Sequence, residues 1–395
     1  MFDILLKNGL VVDPSQKINQ VTSIALDHGK ITALGSDIAD TDAKIIYDFS
    51  GKIVCPGLID IHCHPAYKFA DLGVPEIEIG LNCGVTLLCD AGTAGAANFE
   101  AMRSFIIEPA KTEIVCFLNL ANHGLVKIPE ILSINDINPD HSAQVIEANK
   151  DIVKGVKLRV IQAVAEGGGI QIVELAKKLS CDFNMPLMLH LGETRKRFAN
   201  DKMDDFSRAA VSLLDEGDII SHYLTWEPGG LILNDGTVYP ELIAARKRGV
   251  LLDSCHGLNH FSFHIARHAL SQGLIPDVIS TDLCEVVMSS AQSLPVVMSK
   301  FLALGLSIDQ VVAMTTINPA KALGMAEKKG SLKPGMAADI TVINLTEGNF
   351  VFNDGTGGEV ISGDKLVEPH MVFKSGAPRP AYSRYHLTPR KFRRV

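Results

Sequence analysis

Two histidines separated by one residue, His62 and His64, stand at the end of a short apolar stretch. Side chains of an extended strand alternate between its two faces, so both imidazoles would point to the same side while Cys63 points away. Two imidazoles on one face of a strand end can chelate a metal ion. Asp60 is a third polar residue on that face, where the alternation calls for an apolar one. The pattern favours a metal site, although an isolated His-x-His pair is as often a pair of solvated or core histidines.

Other polar residues stand where later apolar runs end. Each of them alone has an ordinary explanation, such as a loop histidine, a helix N-cap or a lysine that reaches solvent. Together with the first pair, the residues at such ends are His62, His64, Lys157, His190, His222 and Asp282. Their joint placement is much harder to obtain by accident, and it predicts one shared site.

The apolar runs that carry these residues recur at regular intervals, and each is followed by a segment of helical composition. They lie at 57–62, 85–89, 114–120, 155–160, 186–191, 218–222, 249–254 and 278–281. Repeated strand–helix units predict an α/β fold, a parallel (β/α)8 TIM-type barrel with its chemistry at the carboxyl ends of the strands. An open doubly wound sheet is the alternative, but no G-x-G-x-x-G sequence follows the first strand.

Both ends of the chain have strand-like patterns. Residues 1–55 alternate between apolar and polar positions and carry turn signals such as Asn8-Gly9, and similar stretches return near the other end. Too few strands lie at either end to form a generous core alone. We therefore expect 1–55 and 329–378 to build one small β-sandwich domain, with the barrel at 56–328.

The composition is that of a globular protein without a nucleic-acid or membrane partner. The net charge is −8, and basic residues cluster only in a C-terminal tail at 379–395, which we expect to be solvated or to contact another subunit. No run approaches the roughly 18 apolar residues of a membrane helix, and the N-terminus lacks a secretory pattern. The eight cysteines form no C-x-x-C pair, which is typical of free, buried thiols. We expect a cytoplasmic protein and, with the tail as a candidate contact, a homo-oligomer.

With this ordered set of ligands and a split β-domain, the chain resembles the binuclear-metal branch of the amidohydrolase superfamily over nearly its whole length. The resemblance implies two divalent metal ions, usually zinc, bridged by a hydroxide and by a strand-four lysine that carbon dioxide has carboxylated. It assigns the first metal to His62, His64, Lys157 and Asp282, and the second to Lys157, His190 and His222.

Charge supports the carboxylation of Lys157 independently. Two dications bring about +4, and an ammonium beside them would add a like charge in a largely dry cavity. A carbamate, Asp282 and hydroxide would leave about +1, shared with four neutral imidazoles. Metal coordination lowers the pKa of water toward ~7, and Asp282 would take the proton and pass it to the leaving group. Asp60 is expected to orient a ligand rather than to bind metal.

Within the superfamily the chain is similar to deacetylase-like amidohydrolases related to dihydroorotases. The likeness rests on Lys-x-Arg at 157–159 and on Cys255-His256-Gly257, where those proteins have Gly-His-Gly or a close variant. It implies hydrolysis of an ester or amide, such as an acyl ester of a 2-hydroxy acid like acetyl-mandelate. Dihydroorotases typically carry an arginine at the position of Ala66, and adenine deaminase relatives carry a glutamate at the strand-four lysine. A cyclic-amide hydrolase of dihydroorotase or hydantoinase type, and a non-catalytic scaffold, stay as alternatives.

Arg159 is the first candidate substrate contact. It lies two residues beyond Lys157, so strand alternation sends both side chains into the barrel mouth. A guanidinium is permanently charged and suits a substrate carboxylate. The alternative is a permanent pair with a protein acid such as Glu166 or Glu193.

His256 and Tyr67 are the other candidate substrate contacts, and the resemblance places His256 facing the site as a substrate or oxyanion contact. Three further histidines follow at intervals of four residues, a spacing typical of one helix face, and we expect them on a helix surface. They are His260, His264 and His268. The long segment 223–239, after the sixth strand, is either a lid or an ordinary surface loop.

Overall fold

A computed structural model describes residues 1–193, 202–355 and 358–385. The architecture is mixed α/β with two separate sheets. The strands are β1 (Phe2–Asp13), β2 (Ile18–Asp27), β3 (Lys30–Gly35), β4 (Ala43–Asp48), β5 (Ile53–Pro56), β6 (Leu58–Cys63), β7 (Val85–Gly95), β8 (Glu113–Asn119), β9 (Val153–Arg159), β10 (Leu187–His190), β11 (Ile219–Ser221), β12 (Leu251–Asp253), β13 (Ile340–Asn353), β14 (Val360–Lys374) and β15 (Ala377–Pro380). The α-helices are α1 (Glu76–Ile79), α2 (Phe99–Met102), α3 (Pro139–Ala148), α4 (Gln162–Gly167), α5 (Ile170–Asp182), α6 (Lys202–Ser212), α7 (Pro240–Lys247), α8 (Phe263–Ser271), α9 (Leu294–Ala303), α10 (Ile308–Thr315) and α11 (Ile317–Ala322).

The first sheet consists of seven parallel strands in the order β6-β7-β8-β9-β10-β11-β12. Strands that follow one another in the chain are therefore neighbours, as in repeated strand–helix units. Its strands are almost wholly buried, and β7 has no exposed residue. A sheet covered on both faces needs apolar residues on both, which explains why these strands read as continuous apolar runs in the sequence. Seven of the eight predicted strand positions overlap β6 to β12.

The eighth predicted strand, 278–281, is not a regular strand in the structure. This segment instead makes isolated parallel bridges to both edges of the seven-stranded sheet, Val278 with Asp253 and Leu283 with Cys63. One segment therefore contacts the first and the last strand, which requires the parallel sheet to curl.

Both ends of the chain contribute to the second sheet, which has the order β15-β14-β13-β5-β1-β2-β3, with β4 paired to β1. β5 joins the two ends, because it pairs parallel with β1 and antiparallel with β13. A separate cluster of buried side chains, which includes Ile24, Val54 and Phe373, packs there. The boundary predicted at residue 378 falls inside β15, and the domain limits stay a prediction.

The turn predicted at Asn8-Gly9 is wrong, because β1 continues through it to Asp13. The register between β1 and β2 shifts between Leu6 and Gly9, which marks a β-bulge. Asn8 has a φ of 60°, a left-handed conformation that asparagine tolerates. Gly9 is needed for packing, since a Cβ there would lie 2.6 Å from Cγ2 of Val54. The residues that favour a turn here bend a continuous strand.

All eight cysteines are free thiols, and Cys181 alone is exposed, as the sequence predicts. The described residues include no helix that is both long and apolar enough to cross a membrane. Residues 386–395 of the predicted basic tail lie outside the described residues. The preceding part packs against the body of the protein, since Arg384 Nη1 donates to Glu78 O at 2.6 Å.

Candidate metal centre

The predicted ligands meet at the carboxyl edge of the parallel sheet. Strand ends that are distant in sequence become neighbours there, because parallel strands all end at the same edge. A cavity of about 340 Å³ opens at this edge. Five of the six predicted ligands line it, and these are His62, His64, Lys157, His190 and Asp282. The sixth, His222, is buried beside them, with its ring centroid 4.3 Å from that of His190.

Three residues at this edge have left-handed backbone conformations that are uncommon for side chains other than glycine. The φ angles are 63° at His222, 26° at Cys255 and 57° at Asp282. Such conformations cluster at functional sites, where the surrounding structure holds them in place. They turn the chain out of the extended conformation at His222, Cys255 and Asp282.

His62 is held in one tautomer by a chain of hydrogen bonds. Ser221 Oγ donates its proton to Asp253 Oδ2 at 2.7 Å. The Ser221 oxygen therefore accepts the hydrogen bond from His62 Nδ1, which lies 2.7 Å from it. The ring proton is therefore on Nδ1, and Nε2 carries a lone pair that faces the Lys157 Nζ at 3.1 Å. A histidine oriented in this way through its other nitrogen is the usual form of a metal ligand.

Asp282 lies among the first set of predicted ligands. His64 donates from Nε2 to Asp282 Oδ1 at 3.1 Å, while its Nδ1 lies 2.8 Å from Thr93 Oγ1. Burial acts to raise the pKa of Asp282, but the bond from His64 and the nearby imidazoles outweigh it and hold the pKa well below its usual range. The carboxylate is therefore ionised at neutral pH and available as a ligand or a base.

His190 and His222 supply the observation that tests whether the site fits a metal. Nε2 of each ring is buried without a hydrogen-bond partner among the described residues. His222 Nδ1 lies 2.9 Å from the Cys255 carbonyl oxygen and must donate to it, so its Nε2 carries a lone pair. Burial lowers the pKa of both rings well below the ordinary value, so they are neutral. A buried nitrogen without a partner is costly, and the lone pair of His222 Nε2 fits the predicted divalent cation.

Lys157 is 1% exposed and lies in the middle of the predicted ligands. Its nearest partners are His62 and Met188 Sδ, the latter at 3.4 Å. Within the described ranges it makes no salt bridge to a carboxylate. Burial lowers its pKa to about 8. An ammonium in this position is a poorly compensated buried charge, whereas a neutral amine is the form that could react with carbon dioxide.

Cys255 is a neighbour of the site that the sequence did not single out. Its sulfur belongs to a group in which one ligand atom from each residue lies within 4.8 Å of all the others; the group is His62, His222, Cys255 and Asp282. Burial raises the pKa of this thiol well above the ordinary value. The sequence treats Cys255 only as a departure from Gly-His-Gly, because strand alternation does not apply to a residue with positive φ.

Asp60 lies outside the cavity lining and supports its neighbours. Its Oδ2 accepts from Thr281 Oγ1 at 2.5 Å, and its Oδ1 accepts from the His62 backbone N–H at 3.3 Å. Burial raises its pKa to about 7. These contacts tie β6 to the segment that carries Asp282, and they agree with the orienting role expected from the sequence.

Arg159 lines the cavity and also has a protein partner. Its Nε donates to Glu130 Oε1 at 2.7 Å and its Nη2 donates to Glu130 Oε2 at 2.5 Å. The alternative considered from the sequence, a permanent pair with a protein acid, is therefore confirmed in kind, with Glu130 rather than the suggested Glu166 or Glu193 as the hydrogen-bonded acid. Glu193 accepts from the Gln162 backbone N–H at 2.8 Å. Glu130 belongs to a loop far from β9 in sequence, so no local pattern could reveal the pair.

The structure does not bring His256 or Tyr67 into the cavity lining. The His256 ring is buried behind it, where Nδ1 lies 2.7 Å from the Gly257 carbonyl oxygen and Nε2 lies 2.7 Å from Lys300 Nζ. This ring also stacks on Phe261, with centroids 4.7 Å apart. Tyr67 is 42% exposed and lies outside the lining. Their placement facing a substrate therefore receives no support from this geometry.

His260 takes the place in the cavity that the sequence gave to His256. It is 3% exposed, and its ring centroid lies 4.8 Å from that of His190 and 4.6 Å from that of His222. Burial lowers its pKa to about 4. The expected helix-surface position is wrong, because α8 begins only at Phe263. Ser262 could have shown this, since its Oγ caps the helix by accepting from a backbone N–H three residues later.

The rest of the lining is mostly apolar, which gives the cavity a polar floor and a hydrophobic wall. Its larger apolar side chains are Leu72, Leu125, Ile128, Leu258, Val286 and Val287. Part of this wall is open to solvent, since Ile128 and Val286 are exposed. The arrangement can accommodate an apolar group next to the predicted metal ligands.

The segment 223–239 packs against the body of the protein over much of its length. Tyr223 is buried and donates from its hydroxyl to the Leu274 carbonyl oxygen at 2.9 Å. Leu231 and Ile232 are also buried, while Trp226 is partly exposed. The segment contacts the site through Thr225, whose Oγ1 lies 3.0 Å from His260 Nδ1.

Comparisons with known proteins agree with this arrangement. Residues 53–377 match the model of the Amidohydrolase family. A deacetylase of Agrobacterium fabrum is 33% identical over 368 residues, which cover 92% of this chain and 87% of that protein. The crystal structure of a dihydroorotase superposes with a TM-score of 0.84 at 30% identity and covers 97% of this chain and 98% of its own. That of an adenine deaminase gives a TM-score of 0.86 at 27% identity, with coverage of 96% and 100%.

Proposed function

Because the chain belongs to the amidohydrolase family, it is a hydrolytic enzyme, and we propose that it removes an acyl group from an ester or amide. An acyl ester of a 2-hydroxy acid is the favoured substrate class. The observation that carries the proposal is the meeting of four histidines, a buried lysine and an ionised carboxylate around one cavity. The deacetylase name of the relative from Agrobacterium fabrum supports deacylation over other hydrolyses.

We infer that the site holds two divalent ions, with zinc favoured by its imidazole ligands. The residues that would hold them are His62, His64, Lys157, His190, His222 and Asp282. When bound, the ions would lower the pKa of water and polarise the acyl carbonyl. Carboxylation of Lys157 is supported by its depressed pKa: with a pKa of about 8, about one side chain in ten is neutral at pH 7.

The chain's own residues would manage the proton. Asp282 would accept the proton of the attacking water and pass it to the leaving oxygen, since its low pKa keeps it in the basic form. The Ser221–Asp253 pair would keep His62 in the tautomer that leaves Nε2 free. The apolar wall would limit access of bulk water to the reacting bond.

Arg159 would read the carboxylate of the substrate. Glu130 occupies Nε and Nη2, and this leaves Nη1 outside the pair. Because both partners are buried, the guanidinium is fixed in orientation rather than free to fold away. Beside it, the hydrophobic wall suits the side chain of an aromatic or aliphatic 2-hydroxy acid. We propose that this pairing of a fixed cation with an apolar wall selects the substrate.

The segment at 278–283 would close the parallel sheet into a (β/α)8 barrel, since it bridges both of its edges. The mixed sheet from both chain ends would be the companion β-sandwich. We also propose a cytoplasmic location and a homo-oligomer.

The test uses the zinc-loaded protein with three substrate series: acetyl esters of 2-hydroxy acids, acetyl esters of the matching neutral alcohols, and cyclic amides. Arg159→Met would leave Glu130 as an unpaired buried charge, so the informative variant is the double change Arg159→Met with Glu130→Gln. Loss of a charge-assisted pair should lower kcat/KM about ten- to two-hundredfold on the acid series alone.

Equal losses on the acid and neutral series would show that Arg159 supports the site rather than reading the substrate. Preference for cyclic amides would favour the dihydroorotase or hydantoinase alternative. No hydrolysis of any acyl substrate would refute deacylation.

A further inference from the structure

We propose that His260 is a catalytic residue whose Nε2–H donates a hydrogen bond to the acyl oxygen as negative charge develops on it. The inference rests on the proposed deacylation. It gives a function to a histidine that belongs to none of the sequence motifs of the metal site.

His260 has the position and the free polar atom that this function needs. It lines the cavity next to His190 and His222. Its Nε2 is buried and has no hydrogen-bond partner among the described residues. Because an unpaired buried polar atom is costly, a ligand that accepts a hydrogen bond from it would remove that cost.

Thr225 determines which ring nitrogen of His260 carries the proton. Thr225 Oγ1 lies 3.0 Å from Nδ1 and accepts from the Glu227 backbone N–H at 3.2 Å. Among the described residues this hydroxyl has no other acceptor for its proton within hydrogen-bond distance, so we assign the proton to the bond with Nδ1. The imidazole proton is then on Nε2, which faces the cavity as a donor.

The backbone beside the His260–Thr225 hydrogen bond leaves space for it at a glycine. Gly192 follows β10 with a φ of 96°. A Cβ at this position would lie 2.9 Å from His260 Nδ1 and 2.9 Å from Thr225 Oγ1. Only glycine leaves room for this hydrogen bond, so the orientation of His260 is set from two sides.

The same geometry separates His260 from the metal ligands. In the part of the chain that the structure describes, His260 is in neither group of three or more residues whose ligand atoms lie within 4.8 Å of one another. A ring that accepts at Nδ1 and carries its proton on Nε2 also has no lone pair to offer a cation. Donation to the substrate is therefore favoured over coordination.

The step balances without a proton from His260. Attack of the water oxygen on the acyl carbon forms a C–O bond and moves the carbonyl π pair onto the acyl oxygen, where Nε2–H would stabilise it. Collapse re-forms the C=O bond and breaks the bond to the leaving oxygen, which takes the proton that Asp282 accepted. His260 remains neutral throughout.

The experiment compares wild type with His260→Leu, which removes the donor, and His260→Gln, which keeps an N–H donor. His264→Gln is the matched control, because His264 lies on α8 and contacts the Asn234 carbonyl oxygen instead of the cavity. For each protein we would measure kcat, KM, bound zinc, thermal stability and the affinity for the methylphosphonate monoester of the 2-hydroxy acid, a tetrahedral mimic. Long-range ¹⁵N–¹H NMR of labelled histidine would report the tautomer of the ring.

We expect His260→Leu to lower kcat by about 10²–10³-fold with a small change in KM, a range typical of a lost oxyanion donor. Affinity for the phosphonate should fall with kcat, zinc should stay bound, and His260→Gln should recover part of both losses. The His264→Gln control should resemble wild type, and NMR should show Nε2–H on His260.

Loss of zinc in His260→Leu, or an Nδ1–H tautomer, would overturn the donor assignment in favour of coordination. Equal deficits in the leucine and glutamine variants, together with lower stability, would show a packing function only. A wild type that cleaves no acyl substrate refutes the proposed function separately. Phosphonate affinity and the NMR tautomer would still decide whether His260 donates into the cavity.

Discussion

Ser221 is the link between Asp253 and the predicted metal ligand His62, so Ser221→Ala should weaken metal binding without changing a predicted ligand. The change removes the bonds of 2.7 Å on each side of the hydroxyl. Loss of an outer hydrogen-bond partner of a ligating histidine typically costs 10–100-fold in metal affinity. Asp253 keeps its bonds from Ser280 Oγ (2.6 Å) and from the Cys255 backbone N–H (3.2 Å). Both of these bonds are to Oδ1, so Ser221→Ala also removes the Ser221 donor from Asp253 Oδ2. Because His62 Nδ1 lies 3.6 Å from this oxygen, the carboxylate can take over part of the Ser221 function, and we expect the lower part of that range, about 10–30-fold.

The assay is competition for zinc between the metal-free protein and a chromophoric chelator, with kcat measured on the reloaded enzyme. Ser254→Ala is the matched control, since this serine is also buried at the same edge but its Oγ has no hydrogen-bond partner among the described residues. Ser221→Thr, which retains the hydroxyl, should recover much of the affinity. If Ser221→Ala held zinc as tightly as Ser254→Ala, the tautomer argument for His62 would be wrong.

Three further outcomes are expected. Lys157→Ala should lose activity that short carboxylic acids partly restore by replacing the carbamate; full activity without added acid would exclude a bridging function. Asp282→Asn should lose far more kcat than zinc, because an amide can still offer an oxygen but cannot accept a proton; near-normal kcat would place the proton acceptor elsewhere. Burial lowers the pKa of Lys300 to about 7, whereas an unfolded lysine keeps its proton to about pH 10.4. Between these pH values Lys300 is protonated in the unfolded chain but not in the folded one. The free energy of unfolding of the wild type should therefore rise with pH relative to that of Lys300→Met, by at most ~1.4 kcal/mol per pH unit. Chemical denaturation of both proteins from about pH 7 to pH 9 measures this difference, and a difference that does not change with pH would contradict the prediction.

The features that the sequence predicts are those in which local pattern and final position coincide. Parallel strands covered on both faces must be apolar throughout, so β6 to β12 could be located from short runs alone. Polar residues such as His190 stand at the carboxyl end of an apolar run. Because the carboxyl ends of parallel strands all lie at one edge of the sheet, these residues come close together there. The type of each polar residue, its order in the chain and its position at the end of a predicted strand were therefore sufficient to group residues that the structure places around one cavity.

The features that escaped prediction depend on backbone conformation or on loops. Alternation fails at residues with positive φ, so the position of Cys255 near the predicted metal ligands and the irregular segment before Asp282 could not be predicted from it. His260 was assigned to a helix because four-residue spacing was applied before the N-cap at Ser262. Glu130 reaches Arg159 from a separate loop, and a single sequence contains no signal for such a contact.

The two halves of the predicted site differ in how they are satisfied. In the first half, His64 donates to Asp282 Oδ1, so this carboxylate already has a hydrogen-bond partner within the protein. In the second half, His190 and His222 direct buried nitrogens that have no partner among the described residues. A cation in the first half must displace a hydrogen bond, whereas one in the second half replaces nothing. The second half is therefore the part of the fold whose polar groups depend most on metal, and it is also where His260 lies.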